Sequence, residues 1–275
     1  MCGRFHRFAS IQEIATQFNA KPRGELLAPP NYNAAPQDWH PVIRLDEDGE
    51  REILNMRWGF LSKEAKTEKS VKTPINARAE SILTTWPFRE AIRYRRCMVP
   101  VNGFYEWKKL EKGVREPYAI GLKTGETFCF AGIWEAWIEK PAAIRMRVDQ
   151  AAERARHRAE SQRPEEQPDT LFPLAPQEQN DESKPDPDAD PTPRVLETFA
   201  VITCDANEVV AKFHDRMPVF LHPKDYQRWL EPGDAQQPPV DLLRPFPPEL
   251  MRAWRIKPDV GNVRNNRPDL LDPIE

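Results

Sequence analysis

No apolar run in the 275-residue sequence approaches the roughly 18 residues that a membrane span requires, so no transmembrane helix is expected. The opening stretch, Met1 to Ser10, lacks the apolar core of a secretory signal. Only four cysteines occur (Cys2, Cys97, Cys129, Cys204), and no C-x-x-C pair is among them. Scattered thiols without an export signal suit free cysteines in a reducing compartment. The five histidines (His6, His40, His157, His214, His222) show no H-E-x-x-H or comparable spacing, so neither a metal nor a cofactor is expected. No repeat of about 20–50 residues is visible, which argues against a solenoid.

What is abundant is proline. The chain has 29, about twice the usual ~5% share. A length of 275 residues suits one large domain with a substantial core. The formal charge of −3 argues at first sight against a nucleic-acid binder. That charge is unevenly placed. Residues 141–194 hold nine prolines, 8 basic and 12 acidic residues, leaving 32 basic and 31 acidic residues elsewhere. The first half of this stretch reads as a short Arg-rich helix. The second, from Pro164 to Pro193, is too acidic and too poor in hydrophobics to offset its ordering entropy. Residues 141–194 are therefore expected to be a largely disordered insertion within a single domain. The remainder is neutral to slightly basic and suits a basic groove.

Outside the insertion the patterning is compact. Ser10-Ile11-Gln12-Glu13 is a capping-box pattern, and Ile11, Ile14, Ala15 and Phe18 recur at helical spacing, which predicts a short helix. His40–Leu45 and Arg51–Trp58 predict a hairpin around Glu47–Glu50. Pro87–Arg96 predicts a helix and Cys97–Lys108 one strand. Tyr118–Lys123 and Thr127–Ile138 predict a second hairpin about Thr124–Glu126. Thr198–Cys204 reads as a strand, Asn207–His214 as a helix and Met217–Leu221 as a strand. Pro223–Leu230 and Pro247–Ala253 read as helices. The resulting class is α+β, with an antiparallel, barrel-like β core flanked by short helices.

Four segments bear chemistry. Removal of Met1, which a small second residue usually permits, leaves Cys2 as a 1,2-aminothiol. Reference pKa values of about 8 for the amine and 8.5 for the thiol make both nucleophilic near neutrality. Against an aldehyde the amine forms an imine and the thiol closes a five-membered thiazolidine, favoured by intramolecularity. Pro74-Ile75-Asn76-Ala77-Arg78-Ala79-Glu80 offers Arg78 as a bidentate phosphate ligand, although such a segment read alone is more often a loop salt bridge. Val101–Trp107 sets Glu106 among aromatics, where its pKa should rise and suit proton transfer, unless an Arg pairs it. Phe213–Pro218 supplies His214 as a proton carrier beside Arg216, or a purely structural histidine.

Taken together, Met1-Cys2-Gly3-Arg4-Phe5, Tyr32-Asn33-Ala34-Ala35-Pro36, Arg57-Trp58-Gly59, Asn76–Glu80, Gly103–Trp107 and His214–Pro218 resemble, in order, the SRAP (SOS response-associated peptidase) family. Val260–Arg267 is similar to its C-terminal signature. The resemblance implies a protein that recognises abasic sites in single-stranded DNA and links to them covalently through Cys2. It implies that Asn76 orients the Cys2 terminus, that Glu106 acts as general acid/base and that His214 shuttles protons. Arg4, Arg78 and Arg216 become the phosphate clamps, and Trp58 with the Tyr32–Pro36 loop (Asn33 and Pro36 included) the stacking surface at the strand junction. Two alternatives stay open: an N-terminal-nucleophile thiol peptidase with autoproteolytic activity, and a non-catalytic single-stranded DNA binder. The expected setting is a monomer, free of membranes, with replication-fork proteins as candidate partners, cytoplasmic and nucleoid-associated in a bacterium or nuclear in a eukaryote.

Overall fold

A computed structural model describes residues 2–69, 71–161 and 186–274. They fall into two compact units: residues 1–64, 72–137 and 196–275 contribute to the first, and 65–71 with 138–195 to the second. In chain order the strands are β1 (Phe5–Arg7), β2 (Lys21–Pro22), β3 (Asn31–Ala34), β4 (Trp39–Leu45), β5 (Arg51–Trp58), β6 (Asn76–Arg78) and β7 (Arg96–Val101). They continue with β8 (Gly103–Lys109), β9 (Arg115–Leu122), β10 (Phe128–Ile138), β11 (Val195–Asp205), β12 (Arg216–Pro218), β13 (Phe220–Leu221) and β14 (Met251–Arg255). The helices are α1 (Ile11–Phe18), α2 (Phe88–Tyr94), α3 (Pro141–Ser161) and α4 (Tyr226–Leu230).

The first unit is α+β, as the patterning predicts. Strands β11, β10, β7, β4 and β5 lie side by side, and β5 returns to β11 through a parallel pairing of Trp58 with Phe199, closing a five-stranded barrel. Its interior is apolar because Phe128–Ile133 is buried on both faces. A second sheet runs β14-β9-β8-β1-β3. Local signals act as expected in α1, where Ser10 Oγ accepts from the Glu13 amide and Glu13 accepts from the Ser10 amide. The β4–β5 hairpin turns at Gly49, whose φ of 82° suits glycine.

Four expectations are corrected. Cys97–Lys108 is two strands, not one. Asn102 interrupts it, its Oδ1 accepting from the Phe8 and Ala9 amides at 2.9 and 3.3 Å, so β7 stays in the barrel while β8 crosses to the second sheet. The strands flanking Thr124–Glu126 are not a hairpin, because β9 pairs β8 and β14 whereas β10 pairs β7. Asn207–His214 holds only a 3-10 turn at Val210–Lys212. Pro247–Ala253 is a 3-10 turn followed by strand β14, which pairs along β9 from Met251↔Leu122 to Arg255↔Tyr118.

The second unit contains most of the insertion. Its described ends are ordered: α3 occupies Pro141–Ser161, and 186–194 returns along it. The reason is polar rather than apolar. Arg147 donates to the Glu139 carboxylate and to the carbonyls of Asp188, Asp190 and Thr192. The Arg-rich helix read from the first half is α3, whereas the expectation of disorder fails at 186–194, and residues 162–185 lie outside the described residues.

Candidate active site

All the chemistry-bearing residues lie in the first unit. The register of β1 on β8, Phe5 opposite Phe104, continues backward through the Tyr105 amide, which donates to the Arg4 carbonyl at 3.0 Å. This draws residues 2–4 alongside Tyr105–Glu106. From the other side, parallel pairing of Asn76 with Val201 fixes β6. Asn76 Nδ2 donates to the Cys2 carbonyl at 2.8 Å, while its Oδ1 is buried without a hydrogen-bond partner. The structure thus joins Cys2 and Asn76 directly, across 74 residues of chain.

The Cys2 side chain is fully buried, with Sγ 3.9 Å from the Arg4 carbonyl. Burial pushes its thiol pKa well up, and the charge of Glu106 pushes it the same way. The sequence expectation of a useful thiolate fraction near neutrality is corrected by that burial. A buried thiol must pass its proton to a base as it attacks. Glu106 is 6% exposed, and burial raises its pKa from 4.5 to about 7, with Asp215 adding to the rise. It therefore exchanges protons readily at neutral pH.

His214 has its pKa lowered, chiefly by partial burial. Its Nδ1 lies 3.0 Å from the Arg216 amide and 2.6 Å from the Asp215 carboxylate. The first contact needs a lone pair on Nδ1 and the second a proton there, so which of the two is made depends on the tautomer and charge of the ring. The lowered pKa favours the neutral form of the ring.

Glu106 and His214 open into one cleft of about 910 Å³, also lined by Gly3, Arg4, Trp107, Phe213, Asp215, Lys109, Arg115 and Lys212. Four Lys or Arg side chains against two carboxylates make this lining basic. Lys109, Arg115, Lys212, Phe213 and Trp107 were not assigned roles from sequence. Their scatter over two strands and a turn leaves no local pattern. Trp107 follows Glu106, and Phe213 precedes His214, so adjacency to the motifs was the one available signal.

The remaining assigned residues divide. Arg4 lines the cleft, held by Asn33 Oδ1 at 2.6 Å and the Val260 carbonyl at 3.0 Å. Arg78 is exposed and Pro36 half-buried. Trp58 is corrected: it is fully buried, stacked on Phe199 at 6.3 Å and bonded through Nε1 to the Ile75 carbonyl, so it offers no face to a base. Asn33 is also buried, its amide holding the carbonyls of Val260, Asn262 and Asn265, which seats the 260–267 segment. Arg216 is committed to Glu80, Asp205 and the Thr203 carbonyl rather than standing ready for a phosphate.

A family model described as SOS response associated peptidase (SRAP) matches residues 1–263. The chain is 30% identical over 277 residues to the abasic site processing protein YoqW of Bacillus subtilis, covering 99% of each. It is 26% identical over 272 residues to the abasic site processing protein HMCES of Mus musculus, covering 90% of this chain and 65% of that one. Among solved structures, a Bacteroides thetaiotaomicron protein matches with a TM-score of 0.73 over the whole of both chains at 22% identity, a likeness of fold.

Proposed function

Because this chain belongs to the SOS response associated peptidase (SRAP) family, we propose that it captures abasic sites in single-stranded DNA as a covalent thiazolidine on Cys2. The observation that carries the reading is the convergence of Cys2 with Asn76 and Glu106, whose carboxyl of pKa about 7 lines a basic cleft together with Gly3 and Arg4, the two residues that follow Cys2.

Met1 removal exposes the Cys2 amine, for which the unpartnered Asn76 Oδ1 is a ready acceptor. The amine nitrogen attacks C1′ of the ring-opened deoxyribose. Glu106 protonates the departing hydroxyl, one water leaves, and an imine forms. The Cys2 sulfur then attacks the same carbon, its proton passing through Glu106 to the nitrogen, which ends as a secondary amine. Aldehyde plus aminothiol thus yields thiazolidine plus one water. An imine at C1′ is an electron sink that promotes β-elimination, and ring closure removes it, so the adduct shields the strand. Arg4, Arg78, Lys109, Arg115 and Lys212 neutralise phosphates, and Trp107 takes the stacking role that buried Trp58 does not fill.

The test incubates the protein with an abasic oligonucleotide, an intact one and a peptide panel, followed by denaturing electrophoresis and mass spectrometry. A denaturant-resistant band on the abasic strand alone, heavier by protein lacking Met1, is the expected result. Peptide cleavage without that band points to the thiol peptidase. Reversible binding of both strands points to a plain binder. Cys2→Ala should keep an imine-forming amine but nick the strand instead of holding it.

A further inference from the structure

The five-stranded sheet carries a second pocket of about 410 Å³, with Phe8, Trp254, Leu122, His6 and Arg252 among its lining. Strand register explains the hollow. His6 on β1 lies opposite Gly103 on β8, and Gly121 on β9 lies opposite Arg252 on β14. With Phe104 paired to Ile120, Gly103 and Gly121 are themselves neighbours. One row across four strands therefore reads His6, Gly103, Gly121, Arg252. A Cβ on Gly103 would sit 2.5 Å from His6 Cε1, and one on Gly121 would sit 2.9 Å from the Asn102 carbonyl oxygen. The two ends of that row, His6 and Arg252, line the pocket, and the glycines between them carry no side chain that could bridge it.

Each end carries unspent capacity. Phe8 is 39% exposed and stacks on His6 at 6.3 Å and 10°, and on Tyr32 at 6.1 Å and 20°. His6 is 1% exposed, its Nδ1 buried without a hydrogen-bond partner, and burial holds its pKa at about 3, so the ring is neutral. Opposite, the Arg252 guanidinium lies 4.7 Å from the Trp254 ring and has no ion pair among the described residues. No acidic side chain lines the pocket. A slot lined by aromatics selects a planar ring, and an unneutralised guanidinium selects an anion.

We propose that this slot binds a nucleobase together with its phosphate, the ring held by Phe8, His6 and Trp254 and the phosphate by Arg252. Two sources share that chemistry, a free mononucleotide and a nucleotide of a DNA strand distant from the reacting cleft. The proposal stands apart from the Cys2 chemistry, and its test needs no abasic site.

Calorimetric titration of the full-length protein with dAMP should show saturable binding. Phe8→Ala and Arg252→Ala should each weaken it at least tenfold with Tm preserved, and uncharged deoxyadenosine should bind at least tenfold more weakly than dAMP. An intact nine-nucleotide single strand that displaces dAMP assigns the slot to the DNA strand; saturable dAMP binding that the strand does not displace assigns it to a free nucleotide. Absence of saturable dAMP binding, or variants that bind dAMP as the wild type does, overturns the proposal.

Discussion

Glu106→Gln should make the protein more stable and far less active, and the size of the gain should depend on pH. Burial holds the Glu106 carboxyl at about 7 against an ordinary 4.5. A raised carboxyl pKa means that the folded chain keeps its proton more tightly than the unfolded chain does. Below about pH 4.5 both states are protonated and ionisation carries no penalty. Between 4.5 and 7 the folded state loses stability as pH rises, and above 7 the full cost is present. At 1.36 kcal/mol per pH unit, that difference in pKa corresponds to about 3 kcal/mol. Glutamine has nearly the same shape and cannot ionise. Urea denaturation of both proteins at pH 4.5, 6 and 8 should therefore show the variant's relative stability rising by about 3 kcal/mol across the series. In the same samples, adduct formation on abasic single strands should slow roughly 10²–10⁴-fold, the usual contribution of a positioned acid/base. Parallel stability curves, or an unchanged rate of adduct formation, would refute the reasoning that this carboxyl is both strained by burial and used in proton transfer.

Asn76→Ala removes the 2.8 Å bond to the Cys2 carbonyl, and single-turnover adduct formation should slow about 10²-fold through misplacement of the terminus, with stability changed by only about 1 kcal/mol. The arginines should separate by salt dependence. Arg78→Ala should lower the slope of log affinity against log salt by about 1 without moving Tm, whereas Arg216→Ala should leave the slope unchanged and cost about 1–2 kcal/mol of stability, since its partners are Glu80, Asp205 and a carbonyl. Trp58→Ala should cost about 3–5 kcal/mol in denaturation, the mark of a core side chain, while Trp58→Phe measured well below its Tm should bind single strands as the wild type does.

The pairing of strands was the part of the fold least readable from local pattern. Thr124-Gly125-Glu126 is a genuine turn, with Gly125 at φ 75°, yet it joins strands of two different sheets. A turn signal reports chain reversal and not the partner that a strand then finds. Pro247–Ala253 misled for a related reason: its prolines do start a helical turn, but β14 takes its conformation from the free edge of β9. In the insertion, composition reported the shortage of apolar residues correctly and missed Arg147, whose carbonyl and carboxylate bonds order both described ends without an apolar core. At the site, Trp58 and Arg216 belong to motifs that carry the family resemblance, and residue type alone does not separate a platform from a core ring or a clamp from a salt bridge.

By itself the sequence determined the groups of the proposed chemistry, because reactivity resides in residue types: the thiol needs Cys2, and a carboxyl among aromatics needs Glu106 where it stands. Helix α1 and the β4–β5 hairpin were likewise set by caps and turns that act within a few residues. Only the tertiary structure decided which of those groups meet. Cys2 and Asn76 touch because β1 and β6 are placed by strands far along the chain, and the thiol and carboxyl take their proton affinities from burial that no short stretch encodes. Contact and desolvation are properties of the packed whole, whereas reactivity is carried by the side chain itself.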